Sequence, residues 1–446
     1  MKSKKRNWLK LSLQGGTLLA IVAFILYGIF FGEQRADPEA YCPFGGLQAI
    51  GSYLHNNSLA CSMSMAQIMM GVVLAVGVIL FSKLFCGYLC PLGTIGEYLG
   101  KGGRKLKMNF DLKPGGIADR GLRIVKYGLL FVVFYMSVSS SELFCKNFDP
   151  YYAMATGFKG EITAGMTSIS IVLLFLGSFF IKMFWCKYIC PLGALSNIFK
   201  FTITFVGILL LFWLLGWAGL PSAWVWALGA ACLIGYLYEM IYLRSKVFPL
   251  LRIVRDAESC NGCGSCTKKC PYHIDLKELK TVRHIDCTLC GDCVSSCPKG
   301  SLQVGGKKSL RWLPGILTIV LFVLALILGN QWELPTIDER WGNTEQVGEM
   351  KTFEMEGLTS IKRYGRSKAF SAKMQKVPGV YGVKTFVKRH AVVISYDPAQ
   401  TNEDKIREVI FIPTIMKFSN PEPQVDSVEV LTLGVDKLFD RMDMVY

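Results

Sequence analysis

The sequence predicts a multi-span α-helical membrane protein with an inserted cysteine-rich module and a C-terminal α/β domain. Hydrophobic residues make up 52% of its 446 residues, and the mean hydropathy of +0.36 is too high for a soluble chain of this size. Eight of the 16 cysteines lie between positions 260 and 297. After position 330 the long apolar runs end, and short alternating runs typical of strands replace them.

Seven apolar segments are long enough to cross a hydrocarbon core of roughly 30 Å. The N-terminal segment is interpreted as an uncleaved first span, because its apolar run is long and no small-residue cleavage site follows it. The seven predicted spans are Leu9–Phe31, Ala66–Phe85, Val125–Ser141, Ile162–Phe184, Phe201–Leu220, Trp224–Leu243 and Leu310–Gly329.

The spans divide the chain into five predicted regions. They are a first span with an outer loop (1–65), a repeat-containing membrane domain (66–243), a cysteine-rich module (244–308), a last span (309–330) and a C-terminal domain (331–446).

The distribution of charge predicts the orientation of the chain. Residues 1–330 carry 33 Lys and Arg against 16 Asp and Glu, whereas residues 331–446 carry 16 against 17. The excess lies beside the spans, in the N-terminus, in 101–126, at Lys200 and in 244–311, so it indicates membrane topology rather than a nucleic-acid partner. By the positive-inside rule these segments are cytoplasmic. Seven spans then place the C-terminal domain on the outer face of the cell (inner) membrane.

The cysteine-rich module contains the pattern C-x2-C-x2-C-x3-C-P twice, from Cys260 to Pro271 and from Cys287 to Pro298. This spacing predicts a two-cluster ferredoxin, in which three thiolates of each run hold one [4Fe–4S] cluster and the fourth holds the other. A disulfide module is disfavoured because this segment is predicted to lie on the reducing cytoplasmic side. A zinc module is disfavoured because a zinc site needs four ligands in two pairs, whereas the chain has eight cysteines in two strict quartets. The predicted ligands are Cys260, Cys263, Cys266 and Cys297 for the first cluster and Cys287, Cys290, Cys293 and Cys270 for the second.

An internal repeat lies in the membrane domain, because the motif C-x3-C-P-L-G occurs at 86–93 and again at 186–193. A proline suits the first turn of a helix, and a thiolate at the preceding N-cap is favoured by the helix dipole. The alternative is a simple helix start with small buried cysteines, yet cysteine is a poor N-cap and occurs here twice in register. The candidate ligands of one further iron–sulfur cluster, at the cytoplasmic membrane face, are Cys86, Cys90, Cys186 and Cys190.

Cys42 and Cys145 fall in the two predicted outer loops and form a candidate outer redox site. The outer repeat is weaker, since residues 42–49 align only loosely with 149–156, and Asp149-Pro150 is also an ordinary helix cap. Cys61 is a third outer ligand, a disulfide partner or neither. Cys232, inside an apolar span, is interpreted as packing.

Several cofactors are not expected. The four histidines lie outside the predicted spans, so a bis-histidine haem is excluded, and no C-x-x-C-H motif exists for covalent haem. No dinucleotide fingerprint precedes a helix, which argues against NAD(P). Electrons must therefore be exchanged with a redox protein or with a lipid-soluble carrier such as a quinone.

The C-terminal domain has the order βαββαβ of a ferredoxin-like sandwich, with helices near 362–375 and 402–411 and a last strand near 426–433. It resembles the heavy-metal-associated domain, with Val377–Val380 and Ala391–Pro398 at matching places. Its loop Gly357-Leu358-Thr359 is followed by Ser360 and Arg363 instead of the two metal-binding cysteines of that domain. We therefore expect a docking or packing module.

Residues 40–305 resemble the NosR/NapH-type family of membrane-bound iron–sulfur (polyferredoxin) electron-transfer proteins, through the two C-x3-C-P motifs and the eight cysteines from Cys260 to Cys297. The resemblance implies electron transfer between a cytoplasmic or quinol carrier and an outer-face acceptor or client protein. The chain lacks the large outer flavin-binding domain of the NosR branch. Two alternatives stay open: a maturation or redox-sensor protein for an outer-face metalloenzyme, and an outer-face metal-ion or disulfide reductase.

Overall fold

The structure is a computed structural model of the full chain. The residues that it describes are 6–31, 42–56, 65–110, 112, 114–140, 144–156, 158, 162–219, 223–242, 250–276, 279–331, 334–342, 350–358, 361, 364–387, 389–411, 415–417 and 430–432. Cys61, Thr359, Ser360 and Arg363 lie outside these residues.

The chain forms two compact units. One comprises Met1–Gly46, Met69–Met136 and Phe144–Leu328, and the other comprises Leu47–Ile68, Ser137–Leu143 and Gly329–Tyr446. The first unit contains every described cysteine.

Helices dominate the first 331 residues. The helices up to this point are α1 (Trp8–Phe31), α2 (Pro43–Asn56), α3 (Met65–Leu80), α4 (Leu84–Tyr88), α5 (Pro91–Lys105), α6 (Ile117–Ser140), α7 (Pro150–Ala155), α8 (Ala164–Val172), α9 (Ser178–Phe180), α10 (Pro191–Lys200), α11 (Thr202–Trp217), α12 (Ala223–Tyr242), α13 (Ser265–Lys269), α14 (Asp292–Ser296) and α15 (Leu313–Gln331). Short 3₁₀ segments cover Phe144–Asn147 and Lys308–Trp312, and π-helical turns cover Leu173–Gly177 and Trp185–Ile189.

Three described helical segments are long and apolar enough to cross a membrane: Trp8–Tyr27, Ile117–Ser139 and Leu310–Gln331. A fourth exists if α10 and α11, which meet at 97°, count as one broken span. Shorter apolar helices cover Met65–Leu80, Ala164–Phe180 and Trp224–Met240. The chain is therefore a helical protein with several candidate membrane helices, and seven spans remain a prediction.

The cysteine-rich module is built on a small antiparallel pair, β1 (Ile253–Arg255) and β2 (Leu302–Val304). Its two short helices, α13 and α14, start in the same way. Each follows a glycine with positive φ, +66° at Gly264 and +76° at Gly291, a conformation that favours glycine. The two halves of the module thus share one local geometry.

The second unit contains a four-stranded antiparallel sheet of order β3-β5-β6-β4. Its core includes Phe370, Met374, Ile394 and Ile406. Its elements are β3 (Ile337–Arg340), β4 (Lys351–Met355), α16 (Tyr364–Met374), β5 (Val380–Phe386), β6 (Ala391–Tyr396) and α17 (Glu403–Phe411).

This sheet differs from the predicted one at both of its ends. The unpredicted strand β3 pairs with β5 at one edge. The last predicted strand appears as β8 (Val430–Thr432), but it pairs with β7 (Ile415–Lys417) instead of joining the sheet. A complete βαββαβ sandwich is therefore not confirmed.

Candidate iron–sulfur sites

The two C-x3-C-P motifs have the same backbone geometry. Cys90 precedes α5 with φ −63° and ψ 118°, and Cys190 precedes α10 with φ −62° and ψ 114°. Both occupy the N-cap, as predicted, with a proline at the first helical position. The Cys90 Sγ accepts a hydrogen bond from the Gly93 N–H at 3.4 Å.

Each motif ends in a glycine because the backbone of its first cysteine lies very close to that position. A Cβ atom on Gly93 would lie 2.8 Å from the Cys86 carbonyl oxygen, and one on Gly193 would lie 2.8 Å from the Cys186 carbonyl oxygen. The first cysteine of each motif therefore folds back over the helix that starts after the second. Only glycine allows this, because the contact is with backbone.

The four motif cysteines and the two predicted outer cysteines line a single cavity, here called the membrane thiol cavity. Cys90 interacts electrostatically with Cys86, Cys186 and Cys190, so these four thiols are mutual neighbours. The structure thus groups the predicted outer cysteines with the four motif cysteines, and the membrane face of each stays a prediction. Cys42 and Cys145 line the same cavity, because Cys42 directly precedes α2 and Cys145 lies one turn before α7, and both helices start at the cavity wall.

Four helix N-termini meet at this cavity. The residues that precede these helices are Cys42, Cys90, Asp149 and Cys190, and all four line the cavity. The Asp149 carboxylate caps α7 by accepting a hydrogen bond from the Tyr151 N–H at 2.9 Å. The positive ends of helix dipoles favour negative charge.

Two further side chains make the cavity suited to an anionic group. Lys83 is buried and donates a hydrogen bond from Nζ to the Gly193 carbonyl at 3.2 Å. Trp185 is 2% exposed, and its indole N–H has no hydrogen-bond partner within the described residues. A buried donor without a partner, in the wall of a cysteine-lined cavity, fits an iron–sulfur centre, whose sulfur atoms accept hydrogen bonds.

The structure brings each predicted ferredoxin quartet together. Cys260, Cys263, Cys266 and Cys297 line one cavity, and Cys270, Cys287, Cys290 and Cys293 line another.

The two ferredoxin quartets differ in burial. The Gly262 N–H and Arg255 lower the pKa of the Cys260 thiol, and Cys263 is exposed. In the other quartet burial raises the pKa of Cys270 to about 11, and it also raises the pKa of Cys287. The first quartet therefore faces solvent, whereas the second lies inside the protein.

Neighbouring cavities share a wall residue. Leu276 lines both ferredoxin cavities. Tyr272 lines the second ferredoxin cavity and also the membrane thiol cavity. The three cysteine-lined cavities thus form a series from the exposed quartet to the membrane thiols.

Comparison with known proteins agrees with this geometry. A family described as "4Fe-4S binding domain" matches residues 63–109 and 163–202, which contain the two C-x3-C-P motifs. A family described as "4Fe-4S dicluster domain" matches residues 252–298.

Three relatives extend the comparison. The putative electron transport protein YccM of Escherichia coli is 29% identical over 56% of this chain and 58% of that protein. The regulatory protein NosR of Stutzerimonas stutzeri is 33% identical over 28% of this chain and 17% of its own length. The ferredoxin-type protein NapH of Haemophilus influenzae is 32% identical over 26% of this chain and 38% of its own length.

The chain is related to the NosR/NapH-type family of iron–sulfur electron-transfer proteins. It spans at most 58% of the length of each of these three relatives. No solved structure matches it.

Hydrogen bonds connect the second ferredoxin quartet to residues in or near α1, α4 and α10. The Cys290 carbonyl accepts from the Asn7 side chain at 2.8 Å and from the Tyr88 hydroxyl at 3.1 Å. The Cys287 carbonyl accepts from the Ser82 hydroxyl at 2.7 Å and from the Lys200 ammonium at 2.8 Å.

Two buried ion clusters surround the same loop. Lys10 lies 2.8 Å from Glu97 and 2.6 Å from Asp292, the residue before Cys293. Arg123, which is 1% exposed, pairs with Asp286, directly before Cys287, at 2.8 Å and also with Glu239. Sequence reasoning missed these residues. Glu239 could have been identified as one member of a buried ion pair, because an ionisable residue inside a predicted span usually has a partner.

Proposed function

We propose that this chain is a membrane iron–sulfur protein that carries electrons across the cytoplasmic membrane between a cytoplasmic or quinol carrier and an outer-face acceptor. One observation carries the proposal: three cysteine-lined cavities lie in series and share wall residues. A hydrocarbon core of roughly 30 Å requires intermediate centres if electrons are to cross it. The name of the relative YccM, a putative electron transport protein, supports the same function.

The ligands in this proposal are the two ferredoxin quartets for two [4Fe–4S] clusters and Cys86, Cys90, Cys186 and Cys190 for a further cluster. Iron–sulfur clusters supply one-electron chemistry at a potential set by burial and by hydrogen bonds to sulfur. The chain contributes the thiolates, excludes water around the second quartet and provides the Trp185 N–H, Lys83 and the helix N-termini around the membrane thiols. Haem and NAD(P) have no part in the proposal.

The proposed topology is the one that charge predicts, with seven spans. The ferredoxin module is cytoplasmic, and the C-terminal domain lies on the outer face as a docking module for the acceptor or a client protein. Because Cys42 and Cys145 line the membrane thiol cavity, they are proposed as the thiols next to the further cluster and not as a separate outer centre.

Iron counting on the purified full-length protein tests the number of centres. Two [4Fe–4S] clusters account for about eight iron atoms, and we expect a clear excess over that number. Replacing the four motif cysteines by serine should remove the excess and leave the ferredoxin signals in electron paramagnetic resonance (EPR) spectra unchanged. A wild-type protein with about eight iron atoms would refute the further centre.

A second candidate function is reduction of a disulfide or a metal ion at Cys42 and Cys145. It is favoured by the position of Cys42 and Cys145, because both thiols line the same cavity. Reduction of a small aromatic disulfide that is lost in Cys42→Ser, with iron content unchanged, would support it. Equal activity of the variant would exclude it.

A further inference from the structure

Tyr272 occupies the wall between the second ferredoxin cavity and the membrane thiol cavity. It follows Cys270 and Pro271 in the chain and is 8% exposed. Cys270, Cys287, Cys290 and Cys293 line the cavity on one side of it, and the motif cysteines line the cavity on the other side. It is therefore the residue through which the two cavities adjoin.

On the side of the membrane thiols, Tyr272 and Cys186 line the same cavity, and the Tyr272 phenol favours negative charge on the Cys186 thiol. It also interacts electrostatically with Cys86 and Cys90. A phenol hydroxyl that donates a hydrogen bond to a sulfur ligand stabilises negative charge on it.

The Tyr272 ring packs in apolar surroundings. The ring belongs to a buried cluster that also contains Leu84, Met183 and Leu289. Leu84 lies two residues before Cys86, Met183 lies three residues before Cys186, and Leu289 lies between two cysteines of the second quartet. The ring therefore packs against side chains that neighbour the cysteines of both cavities.

The other half of the ferredoxin module supplies a comparison within the same chain. Its equivalent sequence is Cys297-Pro298-Lys299, and Lys299 is exposed. The position after Cys-Pro thus holds a buried tyrosine where the module meets the membrane thiols and a lysine where it meets solvent. A tyrosine at this position is not required by the ferredoxin fold itself.

We propose that Tyr272 is the positioning residue that couples the second ferredoxin centre to the membrane thiol centre. Its ring forms the shared wall of the two cavities. Its hydroxyl donates a hydrogen bond to Cys186, and this bond raises the reduction potential of the centre held by the motif cysteines. The inference rests on the proposed function, because it requires a redox centre at the motif cysteines.

The test is a redox titration of the full-length protein in lipid nanodiscs, monitored by EPR. Tyr272→Phe removes one hydroxyl and keeps the ring. We expect a lower midpoint potential for the membrane centre and unchanged potentials for both ferredoxin centres, because the lost hydrogen bond stabilised the reduced, more negative state. Tyr98→Phe, the same change at an exposed tyrosine of α5, should move no potential. An unchanged membrane-centre potential in Tyr272→Phe would overturn the proposed hydrogen bond.

Tyr272→Leu tests the role of the ring. With an electron donor that reduces the ferredoxin centres first, reduction of the membrane centre should slow in this variant and remain near the wild-type rate in Tyr272→Phe. Wild-type rates in Tyr272→Leu would refute the coupling role. Loss of iron from Tyr272→Leu would itself show that the ring holds the two cavities in place, and Tyr272→Phe would still decide the hydrogen bond.

The same samples separate this inference from the proposed function. If the wild-type protein shows only two centres, the proposed function fails, and the inference fails with it. If a third centre is present and neither variant changes its potential or its rate of reduction, the role of Tyr272 is refuted and the proposed function stands.

Discussion

The two ferredoxin quartets have identical cysteine spacing and opposite surroundings. Cys263 of the first is exposed, and its cavity is bordered by surface loops. In the second, Cys290 and Cys293 are buried, and the carbonyls of Cys287 and Cys290 accept four hydrogen bonds from residues in or near α1, α4 and α10. The spacing specifies a ligand set, whereas the residues around it decide whether the centre meets solvent or the membrane thiols.

This difference in exposure indicates which quartet can meet an external partner. The first quartet has an exposed cysteine at which an external redox partner can make contact, whereas two cysteines of the second quartet are buried and none is fully exposed. Each hydrogen bond to the Cys287 and Cys290 carbonyls contributes about 1 kcal/mol, and the charged Lys200 contributes somewhat more. These contacts fix the second quartet to the helices that carry the C-x3-C-P motifs.

Arg123→Met is expected to have the largest effect, and to affect the second ferredoxin centre more than the first. The change leaves Asp286 and Asp119 buried without the Arg123 cation, while Glu239 keeps Lys126, and the expected cost is about 3–5 kcal/mol. We expect the EPR signal of the second centre to broaden or disappear while that of the first persists. Arg120→Met, at an exposed position of the same helix, is the matched control. Equal loss of both signals would show that the second quartet is not selectively anchored.

A smaller effect is expected from Gly87→Ala, between Cys86 and Cys90. The added Cβ would lie 3.0 Å from the Thr288 Oγ1 and 3.2 Å from the Thr288 Cβ, so the loop of the second quartet must move. The expected cost is about 1–3 kcal/mol in unfolding free energy, with a shifted spectrum for the second centre only.

Gly102→Ala controls for the gain in helix propensity that both changes bring. No heavy atom lies within 4 Å of the Cβ position at Gly102. Equal spectra for Gly87→Ala and Gly102→Ala would contradict the close contact between α4 and the ferredoxin loop.

The smallest effect concerns pH and His284, which precedes the second quartet. Burial lowers the pKa of His284 below its usual value of 6.5, although Asp286 opposes the shift. Its Nδ1 accepts the Asp286 N–H at 3.2 Å, so the folded protein holds the neutral ring. Because the unfolded chain binds the proton more tightly, stability should fall as the pH drops below about 6.5, by at most about 1.4 kcal/mol per pH unit.

Thermal unfolding at pH 7.5, 6.5 and 5.5 measures this effect. His284→Gln should reduce the loss of melting temperature on acidification. An identical pH dependence in wild type and variant would show that His284 does not titrate with unfolding.

The sequence predicted the local features of these sites well. The spacing of the eight ferredoxin cysteines predicted two quartets, and the structure brings the same quartets together. Cys-Pro steps predicted that Cys90 and Cys190 are N-caps, which is confirmed. Such features depend on a few neighbouring residues and on backbone geometry, so a single sequence contains them.

Features that depend on packing between distant helices were not predicted. Cys42 and Cys145 were assigned to an outer site, but both line the membrane thiol cavity, because hydropathy does not show where short helices such as α2 and α7 begin in space. Arg123 and Lys126 were counted as part of a basic cytoplasmic segment, yet both are buried in α6 and paired with Glu239. The charge of a side chain alone does not reveal a distant partner.

The central claim, that electrons pass from the ferredoxin module through the membrane thiols, is tested most directly in vesicles. Full-length protein is reconstituted with a reductant outside and an electron acceptor trapped inside, and reduction of the acceptor is followed for wild type and for Cys90→Ser/Cys190→Ser. We expect the double variant to lose transfer while both ferredoxin signals stay intact. Transfer at the wild-type rate in the double variant would contradict the claim.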